Sequence, residues 1–326
     1  MVMLARVAEQ LYWMGRYVER AENTARLIHV NASLVLDLPR EARPPWFTLI
    51  AITGSAERFA KGGIDPGEHG VVRFIIGDEK NPSSIVQSLA AARENARTLR
   101  DVLPREGWEQ INSLYLDARG QLPGGYHPMK RFDYLKHIIL GAQQLTGILD
   151  GTMSHDAGYE FVRMGQNLER ADMTTRIIDV RCANLTREAD EALGPFENLL
   201  WMSVLKSLTG YQMYRRQKRA AVNRGDVLDF LLQDKQFPRS MGRCLRAVQE
   251  SLNNLPRPME ALAQVKTLQR LLDDCQPDAM NQAQLHEFID LLQIHLGRLH
   301  DAIRQRYFQV SDLGIQSAPI FQKQAA

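Results

Sequence analysis

"LYWMGRYVERAENTARLIHV" (residues 11–30) reads as a helix whose Met14, Ala21, Ala25 and Ile28 share one apolar stripe, yet a charged Glu19-Arg20 pair stands inside it. A near copy, "FVRMGQNLERADMTTRIIDV", occupies residues 161–180. Aligned without a gap, the two stretches agree at nine of twenty positions, among them Gly15/Gly165, Glu19/Glu169, Arg20/Arg170, Thr24/Thr174 and Arg26/Arg176. Average composition gives about one or two such matches.

Two further matches follow in the same order. Trp46 corresponds to Trp201, and "FIIGDEKNPSSIVQSL" (74–89) corresponds to "FLLQDKQFPRSMGRCL" (230–245). The offsets are 150, 155 and 156, which points to an internal duplication of residues 1–150 and 151–326. The expected fold is therefore all-α: two duplicated multi-helix half-units packed as one pseudo-two-fold helical bundle, much as an isologous dimer packs. In the third motif proline is expected in the first helical turn, with a polar residue nearby as cap.

Helical periodicity runs through most of the chain, with helices expected near 3–37, 45–60, 82–101, 105–118, 127–151, 156–190, 195–219, 225–233, 238–254, 258–273 and 279–309. The breaks "PREARPP" (39–45), "KGGIDPGEHG" (61–70) and "RGQLPGGYHP" (119–128) read as surface connections, too short for a flexible linker.

Forty Lys+Arg against 38 Asp+Glu leave a net charge of +2, which gives no reason to expect nucleic acid or an anionic membrane as partner. The basic stretch at 211–224 is too short to change that expectation. Cys182, Cys244 and Cys275 are odd in number and show no CxxC spacing, so a reducing cytoplasm is expected and a disulfide framework is not. Neither a secretory leader nor a membrane span is visible in the sequence.

At about 100° per residue, Gly15, Glu19, Glu22 and Arg26 fall on a second stripe, reproduced by Gly165, Glu169, Asp172 and Arg176. A helix-interior glycine costs roughly 0.5–1 kcal/mol, so its appearance at the same point of both copies predicts a close backbone approach. Three readings of the charged stripe are open. It is a salt-bridge network in which Glu19 and Arg20 meet Arg170 and Glu169, a pocket for an anionic or zwitterionic ligand clamped by arginines, or a carboxylate-bridged dimetal site. The last lacks the Glu-x-x-His of di-iron bundles, and no metal is expected.

A secondary polar cluster is expected from Arg93, Asn95 and Arg97 together with Arg239 and Ser240; position 239 is Ser83 in the first copy. His295 and His300 are five apart, the wrong spacing for two ligands on one helical face, and His137 and His155 stand alone. No phosphate-binding glycine loop, nucleophile elbow or Cys/His pattern is present, and no cofactor is expected.

The stretches "YWMGRYVERAENTARLI", "NPSSI…ARENAR…W" and "LERADMTTRIIDVR" resemble the alpha-E proteins, a bacterial family of helical domains named for an ER motif. Glu19-Arg20 and Glu169-Arg170 match that motif. The resemblance implies association with a circularly permuted ATP-grasp protein of the glutathionylspermidine-synthase-like type, and with a peptide substrate and a transglutaminase-like protein. Two functions follow as expectations: a non-catalytic helical partner that docks the ligase or presents its substrate, or an enzyme or ligand-binding protein with a Glu/Arg pocket for an amino-acid-like or phosphorylated ligand.

Overall fold

From Leu11 to Asn31 the first helix hides most of its circumference, which requires neighbours on every side. The computed structural model describes residues 3–184, 196–219 and 221–309, without the side chains of residues 181–184. In it, α1 (Ala5–Asp37) is surrounded by α5 (Ile85–Arg97), α8 (Pro128–Thr152), α9 (Ala157–Asn184) and α10 (Glu197–Ser207). Its apolar stripe of Met14, Ala21, Ala25 and Ile28 is buried.

The remaining helices complete an all-helical fold with no strand among the described residues. They are α2 (Thr48–Ile52), α3 (Ala56–Lys61), α4 (Glu68–Gly77), α6 (Arg105–Gly120), α7 (Leu122–Tyr126), α11 (Tyr211–Lys218), α12 (Arg224–Leu232), α13 (Met241–Asn253), α14 (Met259–Asp274) and α15 (Gln282–Tyr307). α5 and α8 lean on α1, and α6 touches both; α13 and α15 lean on α9, and α14 touches both. One large buried core runs through these layers, and a small second cluster of Leu34, Leu38, Ala42 and Leu200 lies where α1 meets α10. No helix among the described residues is long and apolar enough to cross a membrane.

Local chemistry moves several expected boundaries. The helix expected over 45–60 is two, α2 and α3, because the chain turns at Gly54 with φ of 65°. That expected over 195–219 divides at Thr209, also at positive φ, into α10 and α11. Two helices stand outside the sequence expectation: α4, and α7 inside the expected connection 119–128, where a proline in the first turn starts the helix. The prolines of the third motif lie outside their helices. Ser84 and Ser240 are the N-caps of α5 and α13, each accepting a hydrogen bond from the backbone N–H three residues on, Gln87 at 3.3 Å and Arg243 at 3.1 Å. The end of the helix expected over 156–190 falls partly outside the described residues.

A candidate functional site where two ER helices cross

The crossing of α1 and α9 is made possible by the two repeated glycines. A β-carbon on Gly15 would stand 2.5 Å from the Val162 carbonyl oxygen, and one on Gly165 would overlap the Tyr12 carbonyl oxygen. These contacts are reciprocal. The glycine of each helix meets the residue three positions before the glycine of the other.

Bringing the backbones this close sets the charged pairs against each other one turn further on. Arg170 Nε donates to Glu19 Oε2 at 2.9 Å, while Arg20 donates to Glu169 through Nε at 2.6 Å and Nη2 at 3.0 Å. Each carboxylate then takes a second guanidinium, from different sources. Glu169 takes Arg16 Nε at 2.7 Å. Glu19 takes Arg239 Nη1 at 2.5 Å, and the same guanidinium reaches Asn23 Oδ1 at 2.6 Å and Glu22 Oε1 at 2.8 Å. Within the helices, Arg26 donates to Glu22 at 2.5 Å and Arg176 to Asp172 at 3.0 Å, while Gln143 from α8 adds a bond to Glu22 at 3.2 Å.

Glu19, Glu22 and Glu169 are only 1–2% exposed, and a carboxylate at that depth stays ionised only if paired. Burial alone would push the Glu169 carboxyl up; the Arg20 and Arg16 guanidinium groups outweigh it and hold it at about 2. Glu22 is drawn the same way: burial opposes ionisation, and Arg239 and Arg26 overcome it. Arg16 and Arg239 are raised in turn, with burial opposed by Glu169 for the first and by Glu19 and Glu22 for the second. A general base working near neutral pH needs a raised pKa, so these directions run against proton abstraction by Glu169 or Glu22.

The same depression has a consequence for stability. Because the folded value of Glu169 lies below its ordinary 4.5, its contribution is complete above 4.5 and is lost as pH falls toward about 2. Melting temperatures are expected to fall steeply across that window, and Glu169→Gln is expected to flatten the fall. An unchanged acid slope in that variant would contradict the assignment.

The secondary cluster does not assemble. Arg239 belongs to the network above and Ser240 caps α13, whereas Arg93 bonds Asn112 and lies over Trp108 and Tyr115, and Arg97 pairs with Glu94 on the surface. Helical proximity of Arg93, Asn95 and Arg97 on α5 does not reach the crossing. Arg16, Asn23 and Gln143 are members the sequence reading missed. Arg16 alone carried a signal, standing one turn before Arg20.

Of the other candidate groups, three histidines have ordinary partners, while the buried Nδ1 of His295 has none among the described residues. His300 Nδ1 meets the Tyr12 hydroxyl at 2.9 Å, His137 meets Asp117 at 3.3 Å, and His155 meets the Asp150 carbonyl at 3.0 Å. Burial pushes the Cys244 thiol up to about 12 and the Cys275 thiol to about 11, far from nucleophilic thiolates. The Cys182 side chain lies outside the described residues. Asp179, His286 and Asp290 bring three oxygen or nitrogen ligand atoms together on the surface, apart from the ER network.

Beside the crossing lies a cavity of about 210 Å³, lined by Arg20, Thr24, Thr53, Ser83, Asp172 and Arg176 among others. A larger, half-open groove of about 520 Å³ runs between the second half of α1 and α10.

An all-helical body pinned by cross-paired Glu-Arg motifs defines a class of protein, and comparison with known families agrees. A family described as "A predicted alpha-helical domain with a conserved ER motif" matches residues 3–308. The chain belongs to this family, Alpha-E. It is similar to an uncharacterized protein of Mycobacterium bovis, 24% identical over 272 residues, which covers 77% of this chain and 30% of that protein. An uncharacterized protein of Mycobacterium tuberculosis strain H37Rv is 23% identical over 272 residues with the same coverage. The chain thus spans less than a third of the length of these relatives. No solved structure matches it.

Proposed function

We propose that this chain is a non-catalytic helical partner of an ATP-grasp ligase of the glutathionylspermidine-synthase-like type, docking that ligase or presenting its peptide substrate. One observation carries the non-catalytic part: the carboxylates of both ER motifs are buried and doubly bound by arginine, an arrangement suited to holding helices together. The choice of partner rests on the resemblance. Support for a working neighbour comes from the relatives, in which the matching region is a minor part of a far longer chain. α8 also offers a face for docking, since Met129, Phe132 and Leu140 stand 83%, 53% and 53% exposed.

The two half-units, 1–150 and 151–326, are in this reading products of duplication. Supporting it are the repeated sequence, the reciprocal glycine contacts, and the placing of α5, α6 and α8 about α1 as α13, α14 and α15 are placed about α9.

Co-expression with an ATP-grasp protein encoded beside it is expected to yield a complex through affinity purification and gel filtration. Met129→Asp with Leu140→Asp is expected to abolish that complex while leaving the melting temperature unchanged; Phe132 is spared because its ring packs on His29. Both proteins soluble and eluting separately at micromolar concentration would sink the proposal.

A further inference from the structure

The two ends of the ER crossing are finished differently. At one end Arg239 fills the space beside Glu19 and Glu22. Its sequence counterpart at the other end is Ser83, and there the cavity of about 210 Å³ opens beside Glu169 and Asp172. Arg16 supplies Glu169 with the second cation that Arg239 supplies to Glu19, so the cavity is not needed to neutralise the carboxylate.

What the cavity wall offers is donors. Arg176 spends only Nε on Asp172, and Arg20 spends Nε and Nη2 on Glu169, so that among the described residues Arg176 Nη1 and Nη2 and Arg20 Nη1 have no acceptor. Thr24 lines the same cavity, is 0% exposed, and its hydroxyl has no hydrogen-bond partner. Its counterpart Thr174 donates to the Arg239 carbonyl at 2.8 Å. Around this end stand three guanidinium groups, of Arg16, Arg20 and Arg176, against the two carboxylates of Glu169 and Asp172. The balance is the same as that of Arg26, Arg170 and Arg239 against Glu19 and Glu22 at the other end, so what marks this end is guanidinium N–H groups without an acceptor and a buried unpaired hydroxyl beside open space, a setting that suits an anion.

We propose that this cavity binds a compact anionic group, a carboxylate or a phosphate, between the guanidinium groups of Arg20 and Arg176, with Thr24 and Ser83 as hydroxyl donors. Its volume equals that of about seven waters and lies below the roughly 300 Å³ at which drug-sized pockets begin, which suits one terminal anionic group. The site does not depend on the ligase partnership and stands or falls separately from it.

Calorimetric titration of the full chain with inorganic phosphate, and separately with N-acetylglycine, tests it. One of the two probes is expected to saturate at one site per chain, and which one does so identifies the anion. Arg176→Gln is expected to weaken that binding about tenfold, the effect of losing a charge-assisted hydrogen bond, and Ser83→Arg to remove it by filling the cavity. Arg176 is partly exposed, so its variant is expected to fold even if Ser83→Arg does not. Failure of both probes to saturate, or saturation of Arg176→Gln at the parent affinity, would overturn the proposal.

Discussion

Glu169→Gln is expected to lower the unfolding free energy by about 3–5 kcal/mol, the cost of removing one partner from a buried ion pair. The substitution keeps the shape and removes the charge, leaving the Arg16 and Arg20 guanidinium groups facing a neutral amide. Urea denaturation at neutral pH reads the change directly, with the exposed pair Lys61–Glu57 as control, where Glu57→Gln is expected to do almost nothing. Replacing Glu169, Arg16 and Arg20 together by apolar residues of similar volume is expected to cost less than Glu169→Gln alone, because no stranded charge remains. Equal losses in the single and triple variants would mean that these groups are not desolvated as described.

The second large effect belongs to the crossing point. Gly165→Ala is expected to destabilise by about 3 kcal/mol, the upper part of the range for overpacking, because the new methyl meets the Tyr12 backbone and no rotamer relieves it. Helix propensity pulls the other way, as Gly147 makes plain. That residue lies inside α8 with nothing within 4 Å of a built β-carbon, so Gly147→Ala is expected to stabilise by about 0.5–1 kcal/mol. Opposite signs for one chemical change, measured by thermal unfolding, separate a glycine needed for approach from one that is merely tolerated. A neutral or stabilising Gly165→Ala would show that α1 and α9 do not touch there.

Periodicity made the helical class legible, because a 3.6-residue repeat leaves its mark on residues 11–30 and 161–180 whatever they pack against. Repetition pointed to the two glycines and the ER pairs by exposing which positions recur. The same logic hid Arg16, whose match at position 166 is glutamine. Sequence alone groups Arg239 with Ser240 and the arginines of α5; its guanidinium instead enters the crossing from the turn before α13, a path set by tertiary packing. The helix breaks at Gly54 and Thr209 depend on single backbone angles, to which hydrophobic spacing is blind.

The span of these contacts along the chain also fixes an order of events during synthesis. Arg239 bonds Glu19 across 220 residues, and His300 meets Tyr12 across 288. As α1 leaves the ribosome, Glu22 can pair with Arg26 of its own helix, but Glu19 lacks Arg170 and Arg239 and must stay in water until residue 239 has been made. Collapse of α1 onto the early helices alone would strand that charge, so burial of this helix belongs among the last steps. Such distant closures slow folding and lengthen the interval in which apolar surface is open to other molecules, the circumstance in which nascent chains depend on chaperones.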